Sequence, residues 1–182
     1  MTTKRYTEAQ GIALARRLVA ALDAPAERAR RVLSTLMRAR LSHVVIASHS
    51  SQDVEQATEQ ELGEWQQALK ATLAWIVQAR DQGWRLVSTV TGQPVVTAPT
   101  AVIGGEVRVQ ISTADASVTL SGPPLDMLVT QLYALVGLVR RRLRRCDCGQ
   151  IFVRTGKRQF CSSRCQKRIY MRRFRAGVVG TE

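Results

Sequence analysis

Cysteine is absent from the first 145 residues of this 182-residue chain, and histidine occurs only as His43 and His49. The last 43 residues carry just two acidic side chains, Asp147 and Glu182. Each shortage excludes a class of function. Two histidines without a helical metal-binding spacing, and no nucleophile elbow or phosphate-binding loop, speak against a hydrolase or nucleotide-dependent enzyme. His43 and His49 do stand near Ser48, Ser50, Ser51 and Asp53, but a helix-loop junction with a serine cap accounts for that cluster, and no enzyme is expected. Long apolar runs are missing as well. The most apolar window, residues 127–139, is interrupted by Thr130 and Gln131 and falls short of the roughly 20 residues that a membrane span needs. The polar opening Met1 to Tyr6 has no apolar core of a secretory signal. A soluble, cytoplasmic protein with no membrane partner is the expectation.

What is present is unevenly distributed. Residues 140–182 hold 14 Lys+Arg against two acids, a net +12, whereas residues 1–139 hold 13 against 12, a net +1. A near-neutral body of this length is large enough to bury a core, and 45 % hydrophobic residues is ordinary for a folded domain. The basic segment implies polyanionic partners, nucleic acid before an acidic protein or an anionic membrane surface.

Apolar spacing predicts a helix over residues 7–23, a second over 24–42 beginning after Pro25, a loop over 47–52 and a long helix over 52–82 stopped by Gly83. Leu62, Trp65, Leu69, Leu73 and Ile76 mark the buried stripe of the long helix, and Trp65, Trp75 and Trp84 read as core. Alternation and β-branching then predict strands at 85–90, 95–103, 106–112 and 117–120, joined by turns at 92–94, 104–105 and 114–115. These make a small antiparallel sheet of three or four strands. A helix over about 125–145, with Asp126 in its first turn, connects the body to the cysteines. The whole is an α+β fold: an N-terminal helical and small-sheet domain over 1–122, for sensing or dimerisation; a connecting helix over 123–145; a C-terminal zinc finger with a basic terminal helix over 146–176; and a flexible tail over 177–182.

All four cysteines stand in the basic segment as Cys146-x-Cys148 and Cys161-x3-Cys165. Two close pairs separated by a hairpin-length insert suit one tetrahedral structural Zn2+. Free thiols in a small core, or a redox disulfide switch that also holds zinc, are the alternatives. A catalytic zinc is disfavoured because four thiolates leave no position for water. Gly149 relieves the knuckle turn, residues 151–153 and 158–160 are predicted as two strands around 155–157, and Ser162 is placed to cap a helix carrying Cys165. Knuckle, hairpin and helix describe a treble-clef-like finger. Around it lie Arg144, Arg145, Arg154, Lys157 and Arg158, and along the terminal helix Arg164, Lys167, Arg168, Arg172, Arg173 and Arg175. Arg140, Arg141 and Arg142 lead in from the body. Arg164, Arg168, Arg172 and Arg175 recur at helical spacing on one face, with Ile169, Tyr170 and Phe174 expected to pack on the hairpin. Such a surface suits phosphates.

At these residues the chain resembles the bacterial CGNR zinc-finger family. The resembling elements are Leu143-Arg144-Arg145-Cys146, the Phe152-Val153 strand, the basic turn, Phe160-Cys161-Ser162, and Cys165-x-x-Arg168 opening a basic helix. The naming tetrapeptide of the family reads Cys165-Gln166-Lys167-Arg168 here, the first cysteine pair is narrower, and Arg154 stands where an acid is usual. The resemblance implies a stress-induced, DNA-binding transcription regulator with a helical and β N-terminal domain. The residues by themselves leave open DNA or RNA, and a protein-interaction adaptor docking an acidic partner.

Overall fold

The computed structural model describes residues 6–39, 41, 44–46, 49–81, 108–112, 117–139, 142–175 and 177. Four helices form the body before the sheet: α1 (Glu8–Ala21), α2 (Ala26–Arg38), α3 (His49–Gln56) and α4 (Glu59–Asp81). Strand β1 (Val44–Ile46) lies between α2 and α3, and β2 (Arg108–Ser112) and β3 (Ser117–Ser121) follow α4. Then come α5 (Pro124–Val139), β4 (Leu143–Arg145), β5 (Ile151–Val153) and α6 (Ser163–Arg175).

The start of α1 is set by a reciprocal cap. The Gln10 N–H donates to Thr7 Oγ1 at 3.3 Å, and the Thr7 N–H to Gln10 Oε1 at 2.8 Å, satisfying two amides that a helix start leaves unpaired. A second box explains a departure from the sequence reading. The long helix expected over 52–82 is two helices, because the Glu61 N–H donates to Thr58 Oγ1 at 3.2 Å and the Thr58 N–H to Glu61 Oε2 at 2.8 Å. The Thr58 amide lowers the Glu61 pKa. Helix α3 also begins within the expected loop, at His49.

Helix α5 is the centre of the bundle and packs against α1, α2, α3 and α4. That is why it is apolar on most sides: Met127, Leu128, Leu132 and Leu135 are each at most 1 % exposed. They meet Leu18, Leu33, Leu36, Leu62, Leu69 and Leu73 in one core, with Trp65 packed at its margin, and Ile76 is buried as well. Gln131, which broke the apolar run, is buried and donates Nε2 to the carbonyls of Ala39 at 3.0 Å and Met37 at 3.4 Å. It satisfies orphan carbonyls at the end of α2. Gln66 does the same for α1, with Nε2 at 2.7 Å from the Ala21 carbonyl and 2.9 Å from that of Ala24. Gly11 permits the approach of α1 to α5, since a Cβ there would lie 2.5 Å from Leu138 Cδ2.

The sheet bears out the antiparallel pairing of the strands expected at 106–112 and 117–120 and adds a parallel one. Its order is β1-β3-β2, with β2 antiparallel to β3 but β1 parallel to it, Val44 opposite Val118. Strand β1 was not foreseen; the strands and turns expected over 85–105 lie outside the described residues, as do His43, Ser48 and Trp84.

The connecting helix is also shorter than read. It ends at Val139, and Leu143–Arg145 forms a strand because it pairs with Ile151–Val153, Arg144 opposite Phe152. Leu143 and Val153 enter the main core at 1 % and 5 % exposure. The cysteine module is therefore seated on the body, with β5 against α1 and β4 against α4. An Arg142 Nε to Glu8 Oε1 pair at 3.5 Å spans the same seam.

Candidate metal centre and its basic surface

The β4–β5 hairpin delivers the first two cysteines from its loop. The Cys146 N–H donates to the Gln150 carbonyl at 2.8 Å and the Gly149 N–H to the Cys146 carbonyl at 2.8 Å, folding Cys146 and Cys148 back on one side. This tight return puts Gly149 at φ +89°, a left-handed conformation that glycine adopts without strain. Residues 158–160, expected as a strand, form none; the hairpin of the module is β4–β5 and its loop is the knuckle itself.

The second pair comes from the start of α6. Ser162 caps it, accepting the Cys165 N–H at Oγ at 3.0 Å, so Cys161 precedes the helix and Cys165 lies in its first turn. Arg158 holds this loop: Nε donates to the Phe160 carbonyl at 2.8 Å and Nη2 to the Cys161 carbonyl.

All four sulfurs lie within 4.8 Å of one another, with Cys146 and Cys165 at 3.5 Å and Cys148 and Cys161 at 3.5 Å. Four sulfurs at about 2.3 Å from one zinc would sit about 3.8 Å apart. The cluster is the right size for one metal ion, and its donor set is consistent with zinc. The cysteines are free thiols, and a disulfide would need its sulfurs near 2.05 Å.

Burial and mutual hydrogen bonding make the thiols unequal. Burial pushes the Cys165 pKa up, and hydrogen bonds from the other three cysteines add to it, to about 12. Burial, with hydrogen bonds to Cys148 and Cys146, raises Cys161. For Cys146 burial acts upward, but the amides of Cys148 and Cys161 and the neighbouring thiols outweigh it and bring it down to about 7. A divalent metal would take the place of the protons on the raised thiols. Cys146, Cys165, Phe152 and Phe160 form a small core of their own, with Cys161 and Ile169 packed against it, while Cys148 is exposed.

The structure sorts the basic residues named from the sequence. Arg164, Lys167, Arg168, Arg172, Arg173 and Arg175 are all exposed on α6. Arg173 Nη2 lies 3.5 Å from Asp147 Oδ2, tying the helix to the knuckle, whereas the other five have no ion pair among the described residues. Arg144 and Arg145 are exposed on β4, not on a helix end as expected. Arg154 and Lys157 are exposed beyond β5, and Arg158 spends its donors on its own loop. Arg140 and Arg141 lie outside the described residues, as does most of the expected tail. A groove of about 520 Å³ is lined by Cys148, Cys161 and Cys165 together with Gln150, Arg164 and Arg168.

Of the three apolar residues expected to pack on the hairpin, Ile169 packs against the cluster of Phe152 and Phe160, Tyr170 meets the Phe160 ring edge-on, and Phe174 does neither. Tyr170 is 50 % exposed, Met171 53 % and Phe174 68 %. The phase of the helix contains this signal: Phe174 is nine residues beyond Cys165, about half a turn out of register at roughly 100° per residue.

No helix among the described residues is long and apolar enough to cross a membrane. No protein-family model matches the chain, nor does any curated protein or solved structure.

Proposed function

We propose that this chain is a zinc-dependent nucleic-acid-binding protein, a cytoplasmic DNA-binding transcription regulator whose basic C-terminal module grips phosphates. The observation that carries the reading is the coincidence of two features in one small element. Four cysteine sulfurs within 4.8 Å of one another anchor a helix that presents five cations without an ion pair among the described residues. Cys146, Cys148, Cys161 and Cys165 would hold the ion. Zinc bound to four thiolates leaves no open coordination position, so it serves as a cross-link and performs no chemistry.

The cross-link matters because α6 contributes only Cys165 to the buried set, too little for a helix this short to hold its place by apolar burial. Once fixed, Arg164, Arg168, Arg172 and Arg175 repeat along one side at i, i+4, i+8 and i+11 and form a rail for a phosphate backbone. Arg144, Arg145, Arg154 and Lys157 extend the positive field around the knuckle. The resemblance of these segments to the CGNR zinc-finger family, with its treble-clef-like finger and regulatory role, supports DNA over RNA, and the helical body is read as the sensing or dimerising part.

The test combines metal analysis with binding of labelled DNA over a salt series. One zinc per chain is expected, with binding that weakens steeply as salt rises and whose salt slope falls by about two in the Arg168→Ala/Arg172→Ala variant. Absence of binding at low salt would refute the reading and leave an acidic protein partner as the occupant of the basic face.

A further inference from the structure

Six cations and no acid stand on α6, yet the helix also exposes Tyr170, Met171 and Phe174. Phosphate contact alone has no use for exposed rings. Leaving them in water costs about 25 cal/mol per Å² of apolar surface, and a duplex offers them only bases already stacked inside it. Lys167, Tyr170 and Phe174 follow one another at i, i+3 and i+7, forming one strip beside the arginine rail. Phe160 meets Tyr170 edge-on, ring centroids 5.9 Å apart at 64°, which orients the Tyr170 ring while half of it stays exposed.

That ring lines a groove of about 640 Å³ shared with Lys157, Gln159, Ser163 and Gln166, within the usual size of a small-ligand site. Its lining combines an aromatic ring, amide and hydroxyl groups suited to base edges, and a cation suited to phosphate.

We propose that the groove and the Lys167–Tyr170–Phe174 strip bind an unpaired DNA strand, bases stacking on Tyr170 and Phe174 and phosphates following the adjacent cations. The inference rests on the nucleic-acid reading and specifies the form of substrate. Aromatic platforms beside a positive track are how single strands are held without a sequence code. A second copy of the chain is a poor occupant, because two all-cationic faces repel. An anionic bilayer would satisfy the charge, but seating the rings in its apolar region would draw the neighbouring amides of Gln159 and Gln166 out of water, whereas base edges offer them donors and acceptors.

The test uses the zinc-loaded full chain and four probes at matched salt: a labelled oligothymidylate, an abasic strand of equal length, a duplex of equal length, and vesicles of anionic phospholipid. Oligothymidylate is expected to bind tightest, and Tyr170→Ala and Phe174→Ala each to weaken it by about tenfold, as loss of one stacked base predicts. The same variants should leave the abasic strand and the duplex unchanged, and Tyr170→Phe should retain full binding. Phe174 is the more exposed of the two, so its variant keeps the test valid if Tyr170→Ala disturbs packing on Phe160. Equal affinity for oligothymidylate and abasic strand, with neutral aromatic variants, would overturn this inference while leaving the phosphate reading intact. Failure of every nucleic acid at low salt would overturn both, and binding confined to vesicles would assign the face to membranes.

Discussion

The helical body and the cysteine module solve the same problem by opposite means. In the body, α5 is surrounded by four helices and its leucines join a continuous apolar core; a net charge of +1 over residues 1–139 imposes little repulsion. The module carries +12 over residues 140–182, and its own core is two cysteines and two phenylalanines. Self-repulsion on that scale opposes compaction, and four side chains bury too little surface to offset it. A metal ion held by the four cysteines would supply the missing cohesion. Its consequence is functional: a segment that need not cover itself with apolar residues can devote its surface to positive charge and exposed rings.

This contrast can be broken from either side. The largest effect is expected from Cys165→Ser. Removing one of four thiolates forfeits about a quarter of the ~10–16 kcal/mol typical of such sites, on the order of a hundredfold or more in affinity. Metal analysis and DNA binding should both show the loss, while the helical signal of the body persists. Leu132→Ala attacks the other half. Leu132 is 1 % exposed, so the cavity should cost about 2–5 kcal/mol in denaturant unfolding of the body, with one zinc still bound at low denaturant.

Two smaller changes sharpen the boundary. Gly149→Ala meets no neighbour within 4 Å but keeps φ near +89°, so its cost is conformational, about 1–2 kcal/mol, and should appear as weaker metal affinity with the body unaffected. Glu8→Gln removes the exposed pair with Arg142 across the seam and should change stability by no more than about 1 kcal/mol.

Acidity should act on the module first. Cys161 and Cys165 are raised, the latter to about 12, and Cys146 lies at about 7, so metal entry at neutral pH must expel protons. The metal-bound state holds fewer protons, hence affinity falls as pH falls. Calorimetry in buffers of different ionisation enthalpy should register that release.

The two halves also differed in how openly the sequence disclosed them. The cysteine cluster was legible in full, because four thiols at metal-ligand spacing allow few arrangements. The starts of α1 and α2 were legible from Thr7 and Pro25, and the buried stripe of α4 from Leu62, Leu69 and Leu73. The break before α4 was written as Thr58-x-x-Glu61, but apolar spacing that continued past it concealed the cap. Gln131 read as an interruption, and its purpose depends on α2 carbonyls more than 90 residues away. Strand β1 pairs with a segment over 70 residues downstream, so nothing local announced it. Arginines 144 and 145 favour a helix by propensity, and tertiary pairing with β5 overrode it. Phe174 was expected to pack, but its helical phase directs it to solvent, and Tyr170 reaches Phe160 while half of it stays exposed.

Hydrogen exchange before and after removal of the metal by a chelator tests the central contrast most directly. The account predicts that amides of residues 146–175 lose protection, α6 most of all, while α1, α2, α4 and α5 exchange as before. Unchanged protection in α6, or its loss throughout the bundle, would contradict the claim that metal holds the module and apolar burial holds the body.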